Sequence, residues 1–368
     1  MKILCEKNEL LSGINIALRA IPSKTTMEIL DCLKIKTEGD SIVLIGNDMS
    51  LGIETRVKGT IVEEGSLVVN AKIFSEIIRK MPDSEIVFEA NETTANIKCE
   101  KINFDIAVRS AMDYPDLPTI EKNNYAEMSQ LTLKDMIRQT VFSIGPDSDQ
   151  MKAMTGELFE IKDKTFRIVA LDGHRISLRK VELNEDYGNQ KVIVPGKTLN
   201  ELLKILSGEL EDKVKIFFSQ NHILFEMDNT IVLSRLIEGE YYQVDRMISP
   251  DYETLVKINK REISDSIDRA TLLLKENEKK PLIFNMQDNE MEVKLKTPFG
   301  KFEEKLLMEK EGSDIKIAFN PKFMLDALKV VDDESIDIYF MNTKSPCVIK
   351  DKNETYMYLI LPVNFNDD

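Results

Sequence analysis

Only two histidines, His174 and His222, are available in the 368 residues for proton transfer near neutral pH. Neither stands at a metal-ligand spacing from another His, Cys or carboxylate. His174 follows Asp172-Gly173, so an Asp could orient it as a general base. A hydrolase built on that pair also needs a nucleophile, and no G-x-S-x-G element supplies one. G-x-x-x-x-G-K-[ST], G-x-G-x-x-G and H-E-x-x-H elements are absent from the sequence as well. Cys5, Cys32, Cys99 and Cys347 are scattered without a C-x-x-C pair and read as reduced, mostly buried thiols. Asp147, Asp149 and the run Asp332-Asp333-Glu334 fall in loop-like stretches, where solvated charge is the ordinary reading. The sequence therefore predicts no catalytic residue, no metal and no cofactor.

A different chemistry lies in the spacing of the cations. Lys72, Lys197 and Lys322 stand in Val69-Asn70-Ala71-Lys72-Ile73-Phe74, Val194-Pro195-Gly196-Lys197-Thr198-Leu199 and Phe319-Asn320-Pro321-Lys322-Phe323-Met324, and successive lysines are 125 residues apart. Glu76, Glu201 and Asp326 keep the register, as do Ile78, Leu203 and Leu328, then Arg79, Lys204 and Lys329. The repeat sets cations at matching positions of each copy, on a polar face whose role the spacing leaves open. One reading is a salt-bridged solvent face, since Lys72 and Glu76, and Lys197 and Glu201, are i,i+4 partners.

The elements that carry these residues follow from periodicity. Leu199, Leu202, Leu203 and Leu206 recur at helical spacing, which predicts an amphipathic helix in each copy. A second helix per copy is predicted from Leu10, Leu11, Ile14 and Leu18, from Leu133, Met136, Ile137, Thr140 and Ile144, and from Ile263, Ile267, Ala270 and Leu274. Alternating segments such as Ile223–Met227 and Ile336–Phe340 predict strands. The turn signals Tyr114-Pro115-Asp116-Leu117-Pro118 and Ser249-Pro250-Asp251 place three α+β domains at about 1–120, 121–247 and 248–368. Like units joined head to tail can close into a ring.

Composition bounds the partners. A net charge of −15 excludes a protein that grips nucleic acid over its whole surface, so contact with DNA has to be local. Hydrophobic content of 42% and charged content of 31% predict a folded chain throughout. Glu6 and Glu9 interrupt the N-terminus before any signal-peptide core could form, and no run approaches a membrane span. A cytoplasmic protein is expected.

Along essentially its whole length the sequence resembles the bacterial DNA polymerase III beta subunit family, the sliding clamps. Leu171-Asp172-Gly173-His174-Arg175-Ile176 is similar to that family's T-D-G-H-R-L segment, Ile193-Val194-Pro195-Gly196-Lys197 to its I-V-P-x-K segment, and Leu361-Pro362-Val363 to its C-terminal M-P-M/V segment. The resemblance implies three clamp domains per chain, each with two helices packed on antiparallel sheets, in a six-domain ring of two subunits. It also implies a processivity factor that encircles duplex DNA non-specifically and is not an enzyme. Lys24, Lys72, Arg79, Lys197, Lys204, Lys322 and Lys329 would then face DNA, and a ring that holds DNA by topology tolerates an acidic exterior. A peptide-binding groove is implied for the polymerase, the clamp loader and repair proteins. Its residues would be Met154, Leu171, Gly173, His174, Arg175 and Ile176, then Tyr242, Arg246 and Met247, then Asn320, Phe323 and Pro346, and finally Leu361, Pro362 and Val363. Phe104 and Ile106 on an alternating segment match the family's interface strand, and Leu272 and Leu273 its facing helix end.

Each assignment has a plainer reading. Asp172-Gly173 is a hairpin signal on its own, Leu359-Ile360-Leu361-Pro362 could be an ordinary last strand, and the interface residues could be core. A peptide-binding scaffold without a DNA role competes with the clamp. The sequence departs from the family at Tyr241-Tyr242-Gln243-Val244-Asp245-Arg246, where many members carry proline after the first aromatic. It departs again at Val363-Asn364-Phe365-Asn366-Asp367-Asp368, which ends acidic.

Overall fold

The computed structural model describes residues 1–123, 125–146, 149–248, 251–275 and 280–365. Asp147, the Ser249-Pro250 turn signal and the terminal Asn366-Asp367-Asp368 lie outside the described residues. Six α-helices of five residues or more occur among the described residues: α1 Lys7–Ala17, α2 Ala71–Lys80, α3 Gln130–Arg138, α4 Gly196–Leu202, α5 Lys260–Thr271 and α6 Pro321–Val330. They come in pairs, one pair per sequence copy. Lys72, Lys197 and Lys322 occupy the second position of α2, α4 and α6.

Helix starts follow the sequence closely. Asn70, Asn259 and Asn320 accept hydrogen bonds from backbone amides of the first turns of α2, α5 and α6, satisfying donors that the helix cannot. The middle copy has Pro195-Gly196 where α2 and α6 have Asn70-Ala71 and Asn320-Pro321. A Cβ on Gly196 would stand 2.3 Å from Ile144 Cδ1 and 3.0 Å from Thr155 O, so glycine there permits a close approach.

Helix ends are shorter than the periodicity predicts. Leu203 and Leu206 lie past the end of α4, Thr140 and Ile144 past α3, Leu274 past α5, and Leu18 in a separate 3-10 turn. Thr140 shows one physical reason: its hydroxyl donates to Met136 O at 2.8 Å and competes with the helix ladder.

All strand pairs are antiparallel, in sheets of thirteen, nine and four strands. Packing gathers the chain into two compact units, Met1–Lys134 with Asn200–Leu236, and Asp135–Leu199 with Ile237–Asp368. The first contains the thirteen-stranded sheet; α1 and α2 cover it through Leu10, Ile14, Phe74 and Ile78, with Phe74 edge-on to Phe88. The second contains the other two sheets, with α5 and α6 packed through Ile263, Ile267, Met324 and Leu328.

Each unit includes one junction between sequence copies. In the first unit, strand Leu51–Lys58 pairs with Thr230–Arg235; in the second, Arg175–Glu182 pairs with Tyr356–Ile360. The four cysteines are buried and unpaired. No helix among the described residues is long and apolar enough to cross a membrane.

Candidate functional site

The residues expected to form a groove all lie in the second unit, which contains the junction of Arg175–Glu182 with Tyr356–Ile360. Asp172 Oδ1 accepts the amides of His174 (2.9 Å) and Arg175 (3.1 Å), and Gly173 adopts φ +87°, closing the hairpin as its sequence predicts. The His174 carbonyl accepts Leu361 N at 2.9 Å, and the Val363 amide donates to Ala318 O at 2.8 Å. These two bonds lay Leu361, Pro362 and Val363 beside the hairpin and the N-terminus of α6. From α6, Phe323 stacks on the His174 ring, with centroids 6.0 Å apart.

Arg175 is the buried pin of this corner, with only 8% of its surface exposed. Its guanidinium donates to Asp172 (2.9 Å), Asp326 (2.7 Å) and the Phe142 carbonyl (2.5 Å), and lies 4.5 Å from the Phe323 ring centroid. Expected as a groove-lining residue, it instead spends its donors inside the protein and holds the walls together. Asp172 is thereby committed to a guanidinium and two amides, which leaves no carboxylate to orient His174 as a base. Asn320 likewise uses its side chain as a helix cap on Lys322 N.

Met154, Leu171 and Ile176 are buried in one apolar cluster with Tyr241, Val244, Met357 and Leu359, against which Ile248 and Val348 pack. Ile248, Val348, Met357 and Leu359 also line an open groove of about 340 Å³ together with Met247, Pro346, Tyr252 and Tyr339. The cluster thus reaches the groove through these four residues, whereas Met154, Leu171 and Ile176 do not line it. Tyr242, Met247, Leu361 and Val363 remain exposed at 39%, 48%, 41% and 38%, and of these Met247 lines the groove. Arg246 is exposed on the 3-10 turn Val244–Arg246.

Leu359, Val348, Ile248 and Tyr252 belong to the groove and were not anticipated from the sequence. Leu359, in the strand Tyr356–Ile360, stands two residues before Leu361, Ile248 adjoins Met247 and Val348 stands two residues after Pro346, so nearness to expected residues was a signal present in the sequence.

The segment lacking the family's proline is held by other means. Tyr241 donates its hydroxyl to Val169 O at 3.1 Å, Val244 is buried, and Asp245 takes both ends of the Arg167 guanidinium at 2.6 and 3.0 Å. The hydrogen bond from Arg167 holds the Asp245 carboxyl below its usual pKa.

The seven cations expected to face DNA are all exposed. Glu76 pairs with Arg79 at 2.6 Å and Glu201 with Lys204 at 2.7 Å, both i,i+3. Arg19, not anticipated, also reaches Glu201 at 3.2 Å. In the first unit Lys72 and Arg79 share a cleft of about 490 Å³ with Ile21, Pro22 and Ser23, the residues leading to Lys24.

Phe104 and Ile106 lie on strand Ile102–Ser110, whose edge away from Thr94–Cys99 is paired only at Val108–Ser110. Phe104 is 43% exposed on that edge. Leu272, at the end of α5, is 82% exposed. Leu273 lies 3.7 Å from the position a Cβ on Gly300 would take, at the start of strand Gly300–Leu307, which is also an outer strand of its sheet.

Models of the N-terminal, central and C-terminal domains of the DNA polymerase III beta subunit match residues 1–118, 127–243 and 245–364. A beta sliding clamp from Staphylococcus epidermidis is 32% identical over 375 residues, 99% of each chain. Among solved structures, a DNA polymerase sliding clamp from Bacillus subtilis superposes with a TM-score of 0.95 at 33% identity over 100% of both chains. A chain from Eubacterium rectale, provisionally described as a DNA polymerase III beta subunit, gives 0.96 at 51% identity, again over 100% of both.

Proposed function

The chain belongs to the DNA polymerase III beta subunit family, and we infer that it is a DNA sliding clamp: a non-catalytic processivity factor that encloses duplex DNA and tethers the polymerase to it. The observation that carries this is the succession of three family domains covering nearly the whole chain. Its three copies, 1–120, 121–247 and 248–368, would form half of a six-domain ring, closed by a second, head-to-tail subunit in the cytoplasm.

Under this reading Lys24, Lys72, Arg79, Lys197, Lys204, Lys322 and Lys329 contact phosphates weakly and without regard to sequence. Their exposure supports that role, and the acidic partners of Arg79 and Lys204 keep the contacts weak enough for sliding. The groove takes short linear peptides of the polymerase, the clamp loader and repair proteins. An apolar floor with exposed Met247, Leu361 and Tyr242 suits leucine, methionine or aromatic side chains. Phe104 and Leu272 are exposed apolar side chains, with the half-buried Ile106 and Leu273 beside them, which a second subunit would cover.

The test is retention on singly nicked circular DNA after clamp-loader action, compared with retention once the circle is linearised. Retention on circles and loss from linear ends is the expected result. Equal retention on both forms would replace enclosure by ordinary binding, and no retention with an active loader would favour the peptide-binding scaffold.

A further inference from the structure

The chain leaves its sequence copies by matching routes, and the third route runs onto lysines. Val68, Ile193 and Ala318 are equivalent, each standing two residues before the residue that precedes α2, α4 or α6. Across the strand ladders they lead through Lys34, Leu158 and Ile283 to Ile45, Val169 and Lys294. In the first two copies that last position receives a tyrosine: Tyr114 donates its hydroxyl to Ile45 O at 3.4 Å, and Tyr241 to Val169 O at 3.1 Å. The second and third copies also share the bond that opens the route, Ile237 N to Ile193 O at 2.9 Å and Val363 N to Ala318 O at 2.8 Å. Tyr241 stands four residues after Ile237, and four residues after Val363 the sequence has Asp367. An acidic residue thus takes the tyrosine's place in the chain, and a lysine takes the valine's.

The surroundings of Lys294 match that exchange. An open cleft of about 850 Å³ is lined there by Lys280, Lys294, Lys296, Lys301 and Lys316, with Glu303 the one carboxylate among its described lining residues. Such a concentration of cations stands out in a chain of net charge −15. Glu292 and Glu303 engage Lys294 at 2.8 and 3.1 Å, whereas Lys280, Lys296 and Lys301 have no ion-pair partner among the described residues. The half-buried Phe365 already follows the route. Its ring centroid is 5.8 Å from the Lys316 ammonium, and Lys316 stands two residues before Ala318 as Phe365 stands two after Val363. The chain therefore runs antiparallel to Ile315–Phe319 and reaches the cleft at Phe365, which forms part of its lining.

We propose that this cleft is the seat of the chain's own acidic segment, with Asp367 and Asp368 set among Lys280, Lys294, Lys296 and Lys316. Three residues beyond Phe365 span at most about 10 Å when extended, which is enough to enter a cleft that Phe365 lines. Each exposed ion pair is weak, but attachment to the chain gives an effective concentration of order millimolar, so weak pairs suffice. The cleft shares no lining residue with the groove beside Met247. Resting on the reading of that groove as a peptide site, the seated segment tethers Leu361–Val363 from behind and leaves the groove open.

Asn366→Cys gives one reactive site, because the four native cysteines are buried, and a nitroxide attached there reports the motion of the segment in the full chain. A slow spectrum is expected at low salt, with the slow fraction falling about threefold by about 0.5 M salt as the charges are screened. Asp367→Lys with Asp368→Lys should free the label, and adding Lys296→Glu with Lys316→Glu should capture it again. A fast spectrum at every salt concentration, or failed recapture, sinks the proposal. A slow fraction that grows with protein concentration also overturns it, since the segment would then lie on a second copy. A synthetic peptide with leucine and phenylalanine side chains should bind without freeing the label. Release on peptide binding would put the segment over the groove instead of in the cleft. No peptide binding would overturn the groove reading, while the salt series and the charge exchange still decide the seat.

Discussion

Where Leu51–Lys58 meets Thr230–Arg235, the core-side positions are Ile53 and Val232, fully buried and apolar; where Arg175–Glu182 meets Tyr356–Ile360, they are Ser177 and Tyr358. The register is shared and the chemistry differs on both faces. On the outer face of the first junction, Leu117 packs against Leu233, Leu224 and Phe217, and a Cβ on Gly52 would stand 2.3 Å from it. The linker there covers the sheet. At the second junction Tyr241 and Val244 cover part of the equivalent face and leave an open groove beside Met247. An open groove thus arises where one of two like junctions is left incompletely covered.

Breaking the pin gives the largest expected effect. Arg175→Ala would leave Asp172 and Asp326 without their cation and should destabilise the second unit by about 3–5 kcal/mol, measured by denaturant unfolding. Peptide binding should fall with it, since the hairpin, Phe323 and the last strand lose their common tie. Overfilling the first junction comes next: Gly52→Ala forces Leu117 to move and should cost about 1–2 kcal/mol while leaving the groove's peptide affinity unchanged.

Glu157 sharpens the contrast through pH. It lies in the same sheet row as Ser177 and Tyr358, two strands from Ser177, and is fully buried. Neither carboxyl oxygen has a well-aligned partner, and the adjacent Thr140 hydroxyl already donates to Met136 O. Burial therefore raises its pKa well above the ordinary 4.5. A carboxyl protonated when folded and ionised when unfolded makes stability fall as pH rises above that ordinary value. Glu157→Gln removes the dependence, so its melting temperature relative to wild type should climb from pH 4.5 to neutrality. A flat difference would mean the carboxyl has found a partner or water.

Much of this was legible in the chain. The 125-residue register located α2, α4 and α6, and the hairpin at Asp172-Gly173 was written in its turn residues. Local signals of this kind survive because a cap or a turn is decided by neighbours in sequence. Helix ends were read too long because an apolar stripe continues into turns that bury the same side, as Leu206 does. The role of Arg175 was illegible, because Asp326 and Phe142 reach it only through tertiary packing. Val348 and Ile248 adjoin the expected Pro346 and Met247 in sequence, but only packing shows that they line the groove. The exposure of Phe104 and Leu272 distinguishes them from core residues, which alternation alone could not do.

The smallest effect discriminates most finely between the junctions. Thr55 and Thr230 face each other across the first one with hydroxyls 2.8 Å apart, a buried pair beside Ile53 and Val232. A neutral hydrogen bond contributes about 1 kcal/mol net, but removing one partner also strands the other. Thr230→Val should therefore cost about 1–2 kcal/mol, whereas Thr55→Val with Thr230→Val removes both hydroxyls and should recover most of the loss. The corresponding pair at the second junction, Arg179 and Tyr356, cannot be treated this way: Tyr356 donates to Asp333 at 2.7 Å, so its removal disturbs a charged partner. Recovery in the double variant at the first junction would establish that its register is carried by apolar fit, with the threonines interchangeable for valines. Without recovery, the hydroxyl pair would itself be setting the register, and the two junctions would be more alike in kind than their side chains suggest.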